Sequence, residues 1–306
     1  MNIFITGGAG FIGSHLVAYL LEQHHKVAVL DNFRNQQNTL AHHCHDPNLS
    51  ITCGDARYRD HLAPLVNGAD VVVPLAGLVG APLCDRSPVS AKDTNTHQIV
   101  LLNALMSPGQ RMIFPATNSG YGRSKHPCSE DVAQNPLSLY AKTKVAGETI
   151  ALERENAVSL RFATLFGMSP AMRTDLMVND FVYRALRDRA LTLFEADYRR
   201  PLLHVRDAAR CIVHAINAFD IMRGRPFNVA CENITKWHLC ERIAMQVPGF
   251  IWHASAITKD KDQRDYAVDT RRIEATGFLP AYNFDGGIAE LIRGYQGMRN
   301  WRFGNA

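Results

Sequence analysis

The stretch that most restricts the fold lies at residues 6–13, Thr6-Gly7-Gly8-Ala9-Gly10-Phe11-Ile12-Gly13, where a strand-like run at 3–6 passes into an amphipathic helical pattern at 11–22. Glycines at 7, 10 and 13 give the spacing G-x-x-G-x-x-G. The first two permit a sharp turn and close backbone approach, and the third lets helix and strand pack tightly. The helix start would aim free N–H groups at an anion resting in the turn. A glycine triplet alone is weak evidence, but between a strand and a helix it has its confirming context.

The same rhythm continues along the chain. Strands are expected at 26–30, 50–53, 71–74, 111–114 and 158–162, and helices near 91–106 and 139–153. Short apolar runs alternating with amphipathic helices predict an α/β, Rossmann-like doubly wound parallel sheet covered on both faces. Beyond Gly167, prolines at 170, 201, 226 and 280 punctuate shorter pieces. The expected division is a dinucleotide domain of residues 1–166 plus about 205–230, and a smaller C-terminal α/β substrate domain of 167–204 and 231–306.

Composition sets the outer limits. A chain of 306 residues, 46% apolar and 20% charged, can bury a large core without disulfides or metals. Its net charge of +4 is spread out, which suits an anionic small ligand better than nucleic acid. Seven cysteines with no C-x-x-C pair argue against a disulfide framework or zinc knuckle. His42-His43-Cys44-His45 reads as a solvated loop rather than a metal site, and no metal is expected. With no apolar run near the roughly 20 residues of a membrane span, and no basic leader, a soluble cytoplasmic protein is expected.

Asp31 ends the second strand, 18 residues after Gly13. A carboxylate there accepts both ribose hydroxyls and repels a 2′-phosphate, so the expected cofactor is NAD rather than NADP, although Arg34 stands nearby. The candidate cofactor contacts are Gly7, Gly10, Phe11, Ile12, Asp31, Asn32, Asp55, Ala56, Leu75, Ala76 and Gly77, joined by Tyr140 and Lys144. The last two form Y-x-x-x-K and leave one helix face together. An ammonium beside a phenol favours phenolate, which makes Tyr140 a candidate base near neutrality.

With Thr117 four residues before the pair Tyr121-Gly122, the glycine turn and Tyr140/Lys144 make the chain resemble the extended short-chain dehydrogenase/reductase family, also described as NAD-dependent epimerases and dehydratases. The resemblance covers essentially the whole chain and implies action on nucleotide-linked sugars. It implies that Tyr140 takes a proton from a sugar hydroxyl, usually at C4, that Thr117 positions that oxygen, and that Lys144 holds the nicotinamide ribose and tunes Tyr140. Family 4,6-dehydratases carry Thr-Asp-Glu where this chain has Thr117-Asn118-Ser119, so the acid and base of dehydration are missing.

Substrate contacts implied by the resemblance are Val79, Gly80, Asn118, Ser119, Thr164, Arg173, Asn179, Arg200 and Arg264. Thr164 departs from the Asn found in many relatives. Cys84 reads better as a small loop residue than as a second acid or base. The stretches V-G-A-P-L-C, T-N-S-G-Y-G, D-L-M-V-N-D-F-V and Q-R-D-Y are similar to bacterial enzymes of the GDP-D-glycero-α-D-manno-heptose 4-dehydrogenase type, which serve capsule polysaccharide biosynthesis and oxidise C4 to a 4-keto sugar. A complete C4-epimerase, like UDP-glucose 4-epimerase, is the enzymatic alternative. An NAD-binding sensor on the same fold is the non-enzymatic one. The family resemblance also implies a homodimer built on the helix near 139–153.

Overall fold

The computed structural model describes residues 1–36, 38–255 and 264–298. Its first half alternates strand and helix: β1 (Asn2–Thr6), α1 (Gly13–Glu22), β2 (Lys26–Asp31), β3 (Leu49–Cys53), α2 (Arg59–Asn67) and β4 (Val71–Pro74). Short helices α3 (Ala81–Arg86) and α4 (Pro88–Lys92) follow, then a π-helical turn (Asp93–His97) that runs on into α5 (Gln98–Leu105). Next come β5 (Arg111–Thr117), α6 (Leu139–Leu152), β6 (Ala157–Phe162) and β7 (Thr164–Phe166). The remainder comprises α7 (Met177–Arg187), β8 (Ala190–Leu193), β9 (Arg199–His204), α8 (Val205–Asn217), α9 (Phe219–Met222), β10 (Pro226–Val229), β11 (Glu232–Thr235), α10 (Lys236–Ala244), β12 (Ile251–Ala254), α11 (Arg271–Glu274) and α12 (Phe284–Gly297).

Seven strands form one sheet in the order β10-β6-β5-β4-β1-β2-β3, with every pair parallel. The strand order reverses between β1 and β4, which opens a crevice at their carboxyl ends, the usual ligand position in doubly wound sheets. One face is covered by α1 and α8 through Leu16, Val17, Leu20, Ala208, Ile212 and Ile216. The other is covered by α2, α5 and α6 through Leu62, Val66, Ile99, Leu102 and Ala151. Because both faces are covered, β4 and β6 are buried at every position; β4 is accordingly apolar throughout, whereas β6 carries Ser159 and Arg161, which must find buried partners.

The chain leaves this sheet after β6, adds β7 to a three-stranded sheet in the order β11-β9-β7, and returns to contribute β10. A separate core of Phe166, Val182, Leu202, Leu239, Ile243, Phe284 and Leu291 lies under this second part. Asp207 at the start of α8 is wholly buried and accepts the backbone N–H groups of Ala281 and Tyr282, so the returning helix also fixes the approach to α12.

A buried ion pair attaches α6 to the sheet: Arg161 on β6 meets Glu148 at 2.9 Å, with side chains 8% and 4% exposed. Ser159 donates to the same carboxylate at 2.5 Å, and Arg161 donates to the Tyr121 hydroxyl at 2.8 Å. Removing one partner leaves the other charge buried and uncompensated. Glu148→Ala should therefore lower unfolding free energy in urea by about 3 to 5 kcal/mol, whereas exposed Glu155→Ala should change it by less than about 0.5 kcal/mol.

Candidate active site

A cavity of about 860 Å³ opens at the carboxyl ends of the seven-stranded sheet. Its floor begins with the glycine turn. Gly7 has φ +72°, and a Cβ there would lie 2.6 Å from the Ala76 nitrogen; a Cβ on Gly13 would lie 2.6 Å from the carbonyl oxygens of both Gly7 and Gly8. Only glycine lets loop, strand end and helix close this tightly. α1 carries no acidic residue in its first turn, which leaves its positive end available to a pyrophosphate.

Asp31 lines the same end and accepts the N–H groups of Ala9 at 3.0 Å and Phe33 at 2.9 Å. Burial pushes its carboxyl up from the usual value, and those backbone bonds pull against the rise. Asp55 is held bidentately by Arg57, with a shortest contact of 2.6 Å, and the guanidinium keeps it below the ordinary carboxylate range. All of the candidate cofactor contacts named from the sequence line this cavity. The cradle fits a dinucleotide.

At the other end, Ser138 caps α6 by accepting the Ala141 N–H at 3.2 Å. This places Tyr140 in the first helical turn, beside the end of β5. Thr117 is hydrogen-bonded to the Tyr140 hydroxyl. Burial pushes the phenol above its ordinary range; the Thr117 hydrogen bond and the charges of Arg264 and then Arg173 pull it down, and Cys84 adds to the rise. The charges leading that pull are thus arginines from elsewhere in the chain rather than Lys144. Lys144 lies 4.5 Å over the Phe114 ring, and burial lowers its pKa to about 8 against the opposing pull of Glu148.

Val79, Gly80, Ser119, Thr164, Arg173, Arg200 and Arg264 also line the cavity. Two expected contacts do not. Asn118 is wholly buried and outside the lining, because the chain turns into a 3-10 helix immediately after Thr117. Asn179 is wholly buried behind the wall, where its amide bonds Gly167 N at 3.0 Å and Arg173 O at 2.8 Å. It holds the backbone that presents Arg173, whose guanidinium grips Asp175 at 2.5 and 2.6 Å. Gln263 of the Q-R-D-Y stretch lies outside the described residues.

Cys84 is buried off the lining, donates to Leu78 O at 3.3 Å, and has its pKa pushed up to about 11 by burial and Asp85, so it serves poorly as an acid or base. Asn95, which carried no signal in the sequence, sits in the π-helical turn and bonds Leu78 N, Leu78 O and Thr143, joining the cavity loop to α6. Ser87, Ser90 and Thr94 line the cavity as well. Their spacing of three and four residues would have marked a polar helix face.

The model of the NAD dependent epimerase/dehydratase family matches residues 3–230. The chain belongs to that family. Its cofactor is NAD, and it is an enzyme of the sugar-nucleotide epimerase/dehydratase type. Among curated relatives, the low-salt glycan biosynthesis protein Agl12 of Haloferax volcanii is 26% identical, the match covering 97% of this chain and 99% of that protein. The solved UDP-glucuronic acid 4-epimerase of Bacillus cereus, in complex with UDP-glucuronic acid and NAD, superposes with a TM-score of 0.85 at 22% identity, covering 96% of this chain and 98% of its own. The dTDP-glucose 4,6-dehydratase DesIV of Streptomyces venezuelae, with NAD bound, gives 0.86 at 24% identity and 98% of both chains. These two likenesses establish the fold. No described helix is long and apolar enough to cross a membrane.

The Asp31 carboxylate is proposed to set cofactor choice. NAD should bind at least about tenfold more tightly than NADP, roughly 1.4 kcal/mol, by calorimetric titration. Asp31→Asn removes the charge while leaving an acceptor for Ala9, and should narrow that ratio to within about threefold. A preference for NADP in the unaltered protein would show that Arg34 governs the site.

Proposed function

We propose that this enzyme oxidises the C4 hydroxyl of a nucleotide-linked sugar and releases the 4-keto sugar, with GDP-linked manno-heptose as substrate. The supporting observation is the placement of carboxylates. Those lining the described cavity are Asp31 and Asp55 at the dinucleotide end, and Asp175, which Arg173 holds bidentately. Among the described residues none stands beside Thr117 and Tyr140, so none of them is placed to protonate a departing C6 hydroxyl or take a C5 proton. The choice of sugar rests on the short stretches V-G-A-P-L-C, T-N-S-G-Y-G, D-L-M-V-N-D-F-V and Q-R-D-Y.

In this reading Thr117 orients the C4 oxygen and Tyr140 accepts its proton. Lys144, one turn along α6, binds the ribose next to the nicotinamide. NAD, when bound, supplies the hydride acceptor. Arg173, Arg200 and Arg264 enter the cavity from three separate segments and suit the diphosphate, each offering planar donors to paired oxygens. The hydroxyls of Ser87, Ser90 and Thr94 are available for the sugar. The enzyme acts as a homodimer through the α5 and α6 surface, where Val100 is 43% exposed.

A second reading, C4 epimerisation, is supported by the same lack of a described carboxylate beside Thr117 and Tyr140. It begins with the same proton transfer and needs no further acid or base. The products separate the two. Incubation with GDP-, UDP- and dTDP-linked sugars, followed by mass and NMR analysis, should give a keto sugar and one reduced cofactor per turnover; a C4 epimer with no net cofactor change would establish the second reading.

Tyr140→Phe should keep its fold and NAD affinity while turnover falls about a hundredfold or more. Near-normal turnover in that variant would remove Tyr140 from the mechanism. In deuterated water the product should retain its C6 oxygen. A 6-deoxy-4-keto product with deuterium entering C5 at the catalytic rate would identify a dehydratase and overturn the roles assigned around Thr117.

A further inference from the structure

We propose that Arg264 is a positioning residue that sets the acidity of Tyr140 through a hydrogen-bonded chain, Arg264–Ser119–Thr117–Tyr140, beyond any contact it makes with the diphosphate. The inference deepens the reading of Tyr140 as proton acceptor and rests on it. The Thr117 and Ser119 hydroxyl oxygens are 3.1 Å apart, and the Ser119 N–H donates to Thr117 Oγ1 at 3.2 Å. Arg264 Nη1 donates to Ser119 Oγ, and Thr117 is bonded to Tyr140.

Donor chemistry gives this chain a direction. A guanidinium can only donate, while each hydroxyl donates once and also accepts. When Tyr140 ionises, a fully bonded chain has one arrangement: Arg264 to Ser119, Ser119 to Thr117, and Thr117 to the phenolate. Every hydrogen then points toward the new negative charge. Thr117 and Ser119 are only 7% and 5% exposed, so little water competes with that polarisation.

The arginine is aimed by its backbone. Arg200 Nη1 donates to Arg264 O. Asp265 next to it pairs with Arg199 at 3.0 Å and accepts the Ser124 N–H on its carbonyl at 2.8 Å. The charged and titratable groups acting on Tyr140 are Arg264, Arg173 and Cys84, with Lys144 on its own helix. Arg173 is answered by the Asp175 carboxylate, and Lys144 is drawn over Phe114. Arg264 is therefore the cation whose charge reaches the phenol along hydrogen bonds.

The test is a titration of Tyr140 in the enzyme–NAD complex without sugar, followed by the 13C signal of labelled tyrosine Cζ and assigned with Tyr140→Phe. Arg264→Gln should raise the phenol pKa by at least about one unit, tenfold in proton affinity, and Arg264→Lys should recover half or more of that shift. Ser119→Ala keeps the positive charge but cuts the chain, and should raise the pKa by at least about half a unit. If Arg264→Gln and Ser119→Ala both stay within about 0.3 unit of the unaltered enzyme, the proposal is overturned. A shift in Arg264→Gln without one in Ser119→Ala overturns the chain and leaves only a through-space field. The titration is independent of which sugar is turned over. If Tyr140→Phe is inactive but the titration is unmoved, the tuning alone fails; if Tyr140→Phe is fully active, the base assignment fails.

Discussion

The site depends on the burial of one ion pair. Arg161 and Glu148 meet between β6 and α6 where little water can replace either partner, and further bonds go to Ser159, Tyr121 and the Glu130 carbonyl. Sliding or rotating α6 would leave a buried charge unpaired at a cost of several kcal/mol. Tyr140 and Lys144 lie on the same helix at four-residue intervals from Glu148, so the clamp that holds the helix also fixes their height above β5. Gly147 lets the helix come close enough: a Cβ there would sit 2.7 Å from the Asn95 carbonyl oxygen.

Around that helix the cavity carries charge at both ends. Asp31 and Asp55 stand with Arg34 and Arg57 at the dinucleotide end, while Arg173, Arg200 and Arg264 enter the opposite end with Asp175 paired to Arg173. On the proposed reading the arginines supply planar donors to the diphosphate of the substrate and so orient its sugar. The proposed sugar end is left with hydroxyls from Ser87 between α3 and α4, from α4 and from the π-helical turn, whose hydrogen-bonding sense can adapt to several sugar epimers.

Much of this architecture could be read along the chain because it is locally encoded. The glycine turn, the apolar run of β4, the Ser138 cap and the spacing of Tyr140 and Lys144 each involve residues within about one turn or strand of each other. Asn118 and Asn179 lie off the cavity lining although the sequence points to them, because a polar residue beside a functional one looks functional in sequence. In the fold, a 3-10 turn takes Asn118 out of the cavity, and the backbone of Gly167 and Arg173 consumes the amide of Asn179. Asn95 had no local pattern to reveal it, since its partners lie 17 and 48 residues away.

By itself the sequence determined the parallel sheet, the dinucleotide cradle, the use of NAD, and the pairing of a phenol with an ammonium on one helix face. These follow from backbone sterics and fixed helical periodicity. Only the tertiary structure decided which charge reaches Tyr140. Lys144, the sequence neighbour, is turned over Phe114, while Arg264, 145 residues beyond Ser119, closes the hydrogen-bonded chain. The physical reason is that acidity answers to distance, burial and donor direction in space, and chain spacing reports these only within a single element.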